Sequence, residues 1–128
     1  MGKFTEIQDS LLSQYRIQLC DGSMCSNDWS RTHVHVRQRS ICKWVRKNSI
    51  QSTFTLLHEI GHIESHSSNM RRAEKEYEAT RWALDKAKEL GIDVPDSVIS
   101  FYQDYIDRTK DRGVRRGGSK YTDLKLIK

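Results

Sequence analysis

Two histidines and a glutamate stand in the pattern H-E-x-x-H at His58, Glu59 and His62. On a helix, residues four apart lie on the same face, so both imidazoles can point at one metal ion. Histidine nitrogen is a preferred ligand of zinc, and a catalytic zinc keeps one position open for water. Glu59 follows the first histidine closely enough to act as general base toward that water. The pattern therefore predicts a zinc site with Glu59 as its catalytic residue.

The residues around this motif indicate a buried helix. Apolar side chains cover nearly every side of it. They are Phe54, Leu56, Leu57, Ile60 and Ile63. Burying two histidines and a glutamate costs free energy unless they have partners, and a metal ion with a bound water supplies them. Gly61 costs about 1 kcal/mol relative to alanine, which is understandable if another backbone passes close by. The alternative is an ordinary core helix with incidental histidines.

A zinc site of this kind needs a third protein ligand, and the residues directly after the motif do not offer one. His66 continues the four-residue spacing, but a straight helix places it about 12 Å of rise from His58. Ser68 stands where a metzincin would have its third histidine. The third ligand must therefore come from farther along the chain.

Three glutamates in the next predicted helix, residues 71–90, are the candidates, and helical periodicity separates them. One apolar stripe runs along this helix. Its members are Ala73, Glu76, Tyr77, Thr80, Ala83, Leu84 and Ala87. Glu76 thus faces the core, whereas Glu74 and Glu78 lie on a charged face. An acid on an apolar stripe needs a partner, and a zinc ion on the two histidines is the best candidate; a buried salt bridge to an arginine is the alternative. Thr80, one turn on, is expected to hydrogen-bond the ligand.

Periodicity and turn residues predict the remaining elements. They are a helix over residues 5–14, strands over 15–19, 32–36 and 41–45, and a helix that opens at Pro95. Thr5 and Gln8 have the spacing of a capping box, and Gly91 is expected to end the helix that carries Glu76. The last helix is expected to bury one stripe. Its members are Val98, Phe101, Tyr102, Tyr105 and Thr109.

Histidines and cysteines elsewhere are weaker candidates for metal binding. His33 and His35 point the same way from their predicted strand; an exposed pair is favoured, and metal ligation is the alternative. The three cysteines, Cys20, Cys25 and Cys42, are odd in number and contain no C-x-x-C pair. Reduced thiols are therefore expected, with a disulfide or a metal role as the alternative.

The length of 128 residues suits one domain, assigned to residues 1–112, followed by a basic and flexible tail over 113–128. The net charge of +5 is concentrated after residue 107, where the chain has eight Lys or Arg and two Asp. A solvated tail is favoured, and nucleic-acid contact is the alternative. Tyr121, Leu124 and Leu126 are the residues expected to pack this end of the chain against the domain.

No apolar run approaches the length of a membrane span, and the N-terminus lacks a secretory signal.

The segment 54–62, followed by Glu76-Tyr77-Glu78-Ala79-Thr80, resembles the ImmA/IrrE metallopeptidase domain, with similar signatures among gluzincins generally. The resemblance covers residues 53–84. It implies that the first Glu of the E-x-E-A segment, Glu76, is the third zinc ligand. It also implies a small cytoplasmic zinc peptidase, often carried by phages and mobile elements, that cleaves a regulatory protein such as a repressor. This chain has Thr80 where the family usually has Asp or Asn, and it lacks the family's Leu-Met-Pro ending after Leu84.

These features predict an α+β, zincin-like fold, with a small, mainly antiparallel sheet packed beside the zinc helix and the Glu76 helix. The predicted function is peptide hydrolysis, with an edge strand near residues 33–37 holding an extended substrate. His33, His35 and Tyr102 are candidates to stabilise the oxyanion. One alternative is a catalytically silent protein-binding module of the same fold; another is a nucleic-acid-binding accessory protein that uses the basic tail.

Overall fold

The computed structural model describes residues 2–20, 32–67, 69–115 and 124–126. This part of the chain contains four helices and three short strands, which confirms the α+β class. The helices are α1 (Lys3–Gln14), α2 (Ile50–Glu64), α3 (Arg72–Glu89) and α4 (Asp96–Arg115). The strands are β1 (Gln18–Leu19), β2 (His33–His35) and β3 (Ser40–Cys42). Within the described ranges, no helix is long and apolar enough to span a bilayer.

The three strands form a mixed sheet in the order β1-β3-β2. Strands β2 and β3 pair antiparallel with Val34 opposite Ile41, whereas β1 runs parallel to β3 with Leu19 opposite Ile41. The expectation of a mainly antiparallel sheet is therefore wrong. The alternation of side chains fixes which residues share a face, but it does not fix the direction of the neighbouring strand.

Helix α2 is the buried centre of the fold, as the apolar residues around the motif predict. Leu56, Leu57 and Ile60 are fully buried, and Ser49 caps the helix by accepting a hydrogen bond from the Ser52 amide at 3.1 Å. Because most of its side chains are buried, this helix is a rigid support for the polar side chains that it carries.

Helix α1 packs against α2 through a buried glutamine. The Gln8 amide nitrogen donates to the Lys47 carbonyl at 2.8 Å and to Thr53 Oγ1 at 2.9 Å. The predicted capping box is wrong, because the N-cap is Gly2 and Gln8 is used in this contact between helices.

Helix α3 ends where the sequence predicts. Gly91 has a positive φ of 75°, and the Ile92 amide closes the helix end by donating to the Ala87 carbonyl at 2.8 Å.

Helix α4 turns most of the predicted stripe inward, but one member of the stripe faces solvent, and a residue outside the stripe is buried. Ile106 is fully buried, whereas Phe101 is 61% exposed, so the prediction of a buried Phe101 is wrong. Thr109 is buried as predicted. The helix continues to Arg115, three residues beyond the expected domain boundary at 112.

A short C-terminal segment docks on α3 and α4. Leu124 and Leu126 are buried against Ala73 and Ile106, as their apolar character predicts. The Gln103 side chain accepts from the Leu126 amide at 2.8 Å and donates to the Leu124 carbonyl at 3.0 Å. Tyr121 and most of the basic tail lie outside the described residues.

A disulfide joins Cys20 and Cys42, contrary to the expectation of reduced thiols. Their Cα atoms lie 5.1 Å apart, because β1 and β3 are neighbours in the sheet. The two cysteines are 22 positions apart in the sequence, so no short motif indicates the pairing. Cys25 lies outside the described residues.

Candidate metal centre

His58 and His62 from α2 meet Glu76 from α3 in the wall of a cleft. The Oε2 atom of Glu76 lies 2.6 Å from His62 Nε2 and 3.3 Å from His58 Nε2. One ligand atom from each of the three residues lies within 4.8 Å of the others. The structure thus brings together, from two helices, the three residues that the sequence predicts as zinc ligands.

The hydrogen bonding of these atoms fits a metal site. His58 Nε2 and Glu76 Oε2 are both buried, and within the described residues neither has a hydrogen bond of suitable geometry. Buried polar atoms are rarely left in this state, because the loss of hydration is not recovered. Two imidazole nitrogens and a carboxylate oxygen that lie this close together, without a well-directed hydrogen bond at His58 Nε2 or Glu76 Oε2, can serve as ligands of a shared cation.

The electrostatics of the trio also favour a cation. Burial alone would lower the pKa of His58, but the Glu59 and Glu76 carboxylates beside it outweigh burial and raise the pKa to about 9. Burial would likewise raise the pKa of Glu76, yet His58 and His62 hold it well below its usual range. The folded chain therefore stabilises positive charge next to the Glu76 carboxylate. A divalent metal ion at this position would be stabilised in the same way.

Glu59 lies beside the trio on the same helix. Its Oε1 atom is 3.4 Å from His58 Nδ1, and the residue is buried. It lines a cleft of about 450 Å³ together with the three predicted ligands. Glu59 is therefore within reach of a molecule that occupies the cleft, which is the first requirement for a general base.

The close approach of α3 to α2 depends on Gly61. A β-carbon at this position would lie 2.4 Å from the carbonyl oxygen of Ala79, which is too close for any real contact. The expectation that another backbone passes near Gly61 is confirmed. Ala79 is one turn beyond Glu76, so this contact sets the distance from which Glu76 reaches the histidines.

The other acidic residues of α3 are placed elsewhere. Glu74 Oε1 accepts from the Arg71 amide at 3.1 Å and so caps the start of α3, while Glu78 is exposed. The helical periodicity that assigns Glu76 to the core and the other two to a polar face is confirmed.

Thr80 does not support the site in the expected manner. Its Oγ1 donates to the backbone carbonyl of Glu76 at 2.8 Å, and not to the carboxylate. The Thr80 hydroxyl is therefore satisfied by the backbone of its own helix, while the carboxylate contacts the two histidines.

Tyr102 from α4 packs on the site. Its ring centroid lies 4.6 Å from that of His58, and it lines the same cleft. Burial raises the pKa of Tyr102 to about 12, with the nearby Glu59 and Glu76 adding to the effect and Thr55 opposing it. Tyr102 therefore keeps its proton at neutral pH and offers an O–H donor beside the cleft.

Of the other two oxyanion candidates, His33 lines the cleft, but His35 does not. His66 is exposed beyond the end of α2, consistent with its exclusion as a ligand. Arg72 and Lys75 also line the cleft, which the sequence reasoning does not predict. Arg72 lies four residues before Glu76, on the same face of α3, and this spacing is a signal that could have found it.

No protein-family model, curated protein or solved structure matches this chain.

Proposed function

We propose that this protein is a zinc-dependent peptidase in which His58, His62 and Glu76 hold the ion and Glu59 is the general base. The observation that carries the proposal is the convergence of three ligand atoms in a cleft, where His58 Nε2 and Glu76 Oε2 are buried without a suitably directed hydrogen bond in the described part of the chain. The fold that supports this site is proposed to be zincin-like.

A zinc ion held by His58, His62 and Glu76 would supply Lewis-acid chemistry at this site. Glu59 would accept a proton from a water molecule in the cleft and pass it to the leaving amine. Tyr102 contributes a neutral O–H donor beside His58, where negative charge develops on the peptide carbonyl.

The sheet offers a way to hold a peptide in the cleft. Strand β2 pairs with β3 on one side and forms an edge of the described sheet, and His33 and Val34 line the cleft. An edge strand presents backbone donors and acceptors on its outer side, so an extended peptide can add to it and lie across the metal centre. The proposed substrate is therefore an extended segment of a protein.

The sequence resemblance refines this proposal. It suggests a cytoplasmic enzyme of the ImmA/IrrE type that cleaves a regulatory protein such as a repressor.

Replacing Glu59 by Gln tests the chemistry. The variant is expected to keep its zinc and its fold but to lose cleavage of a pool of fluorescence-quenched peptides, because an amide cannot accept the proton. Glu78→Gln, on the exposed face of α3, is the matched control and should retain activity. If Glu59→Gln cleaves as fast as wild type, the assignment of Glu59 as general base is wrong. If the zinc-loaded wild type cleaves no peptide of the pool, the peptidase proposal is wrong, and a protein-binding module with a structural metal becomes the better interpretation.

A further inference from the structure

One face of the small sheet carries a second cluster of metal-binding side chains. Cys42 on β3 stands opposite His33 on β2, and on its other side it is bonded to Cys20, which follows β1. The Cys20 amide donates to the Ile41 carbonyl at 3.0 Å, so β1 continues its pairing with β3 up to this residue. His35 lies two residues from His33 and therefore on the same face.

The side chains of this cluster lie close enough together to share one ion. One ligand atom each from His33, His35 and Cys42 lies within 4.8 Å of the other two. The two imidazole centroids are 5.2 Å apart, and Cys42 is completely buried. Because Cys20 Sγ is bonded to Cys42 Sγ, a fourth donor lies directly beside the other three.

We propose that the reduced protein binds a second zinc ion through Cys20, Cys42, His33 and His35, separately from the His58, His62 and Glu76 centre. Two thiolates and two imidazoles form a donor set that zinc binds tetrahedrally in structural sites. The proposal does not depend on the peptidase function, since none of its four ligands belongs to the other metal centre.

The backbone already places the two sulfurs for this role. Their Cα atoms are 5.1 Å apart, and zinc–sulfur bonds of about 2.3 Å need only a modest separation of the sulfur atoms. Rotation of two cysteine side chains therefore converts the disulfide arrangement into a ligand arrangement. All three strands contribute, so the ion joins the sheet across its width.

The disulfide and the second zinc exclude each other, because they use the same two sulfurs. On oxidation by hydrogen peroxide, the two thiolates lose two electrons as the S–S bond forms, and the peroxide takes up these electrons and two protons to give two waters. Zinc leaves without a change of oxidation state. A dithiol reductant reverses the reaction and restores the ligands.

This exchange would change the wall of the cleft. In the disulfide form, the covalent link joins the end of β1 to β3, and β2 is held by its antiparallel pairing with β3. In the zinc form, His33 and His35 also tie β2 to the other strands. Since His33 lines the cleft, the second ion would fix the edge strand beside the first metal centre.

Cobalt substitution tests the second site with a readout other than activity. The reduced protein, titrated anaerobically with cobalt chloride, is expected to show a near-ultraviolet sulfur-to-cobalt charge-transfer band. Cys42→Ser should weaken this band strongly, and Glu76→Ala should retain it, because Glu76 belongs to the other centre. The zinc content is expected to fall by one ion per chain when the reduced protein is oxidised with hydrogen peroxide.

A charge-transfer band that is absent from the folded, reduced wild type would overturn the second site. An equal zinc content in the reduced and disulfide forms would do the same. Because Cys42 is buried and its replacement can disturb the fold, Cys20→Ser and His35→Ala serve as second variants, and each should also remove one zinc. Loss of peptidase activity in Glu59→Gln leaves all of these readouts unchanged, so the two proposals fail independently.

Discussion

The α-carbon of Gly61 on α2 faces the carbonyl oxygen of Ala79 on α3 so closely that an added β-carbon would lie 2.4 Å from that oxygen. Gly61 directly precedes His62, and Ala79 lies one turn after Glu76. The contact that fixes the spacing of the two helices therefore lies next to the contact between His62 Nε2 and Glu76 Oε2, which are 2.6 Å apart.

Gly61→Ala tests this relationship. Alanine favours a helix by about 1 kcal/mol, but forcing a methyl group against backbone costs about 1–3 kcal/mol and separates the helices. We expect a lower Tm and weaker zinc binding, measured by thermal unfolding and by competition with a chelator. Gln51→Ala, at an exposed position of α2, should change stability by less than about 0.5 kcal/mol. A Tm above that of wild type would show that α3 moves away at no cost.

The sequence predicts which side chains converge in the cleft better than it predicts the sheet. Glu76 can be selected because the 3.6-residue period of one helix assigns its side chain to the core, which is local information. The Gly61 contact is also predictable, because glycine inside a buried helix costs free energy that a close approach of another backbone offsets.

The errors arise where distant segments meet. The parallel pairing of β1 with β3, and with it the Cys20–Cys42 disulfide, depends on how the chain returns to the sheet across 22 positions. Phe101 and Ile106 both suit a buried face of α4, and the packing on α3 and the C-terminal segment decides in favour of Ile106.

Glu76→Gln is expected to remove the first zinc while keeping the shape of the side chain. The amide lacks the negative charge that balances the ion, so we expect affinity to fall by more than the roughly 10–100-fold typical of losing a supporting hydrogen bond. Glu74→Gln and Glu78→Gln are the controls on the same helix. Zinc at this centre is measured in the peroxide-treated protein, in which Cys20 and Cys42 are joined. Retention of zinc in Glu76→Gln with loss in Glu78→Gln would contradict the ligand assignment.

Tyr102→Phe separates the packing of this ring from its hydroxyl. Phenylalanine keeps the contacts with His58 and with Phe54, whose ring centroid is 5.3 Å from that of Tyr102. Because the pKa of Tyr102 is raised to about 12, its hydroxyl is a donor throughout the neutral range, and the variant loses that donor. If Tyr102 stabilises the oxyanion, kcat is expected to fall about a hundredfold with zinc content unchanged. An unchanged kcat would assign Tyr102 to packing alone.

Phe101 is an exposed aromatic residue that lines the cleft. Its exposure indicates a role in binding. It lines both the cleft of the candidate metal centre and a neighbouring one bounded by Gln51 and Val98. A ring that is 61% exposed contributes little to folding, but it offers apolar area to a bound peptide. Phe101→Ala is therefore expected to raise KM about tenfold, equivalent to about 1.4 kcal/mol, and to leave kcat, zinc content and Tm unchanged. Steady-state kinetics on a peptide selected from the quenched pool measure this, with Ser100→Ala, the exposed neighbour on α4, as the control. A fall in kcat at constant KM would instead place Phe101 in the chemical step, and a lower Tm would assign it to the core.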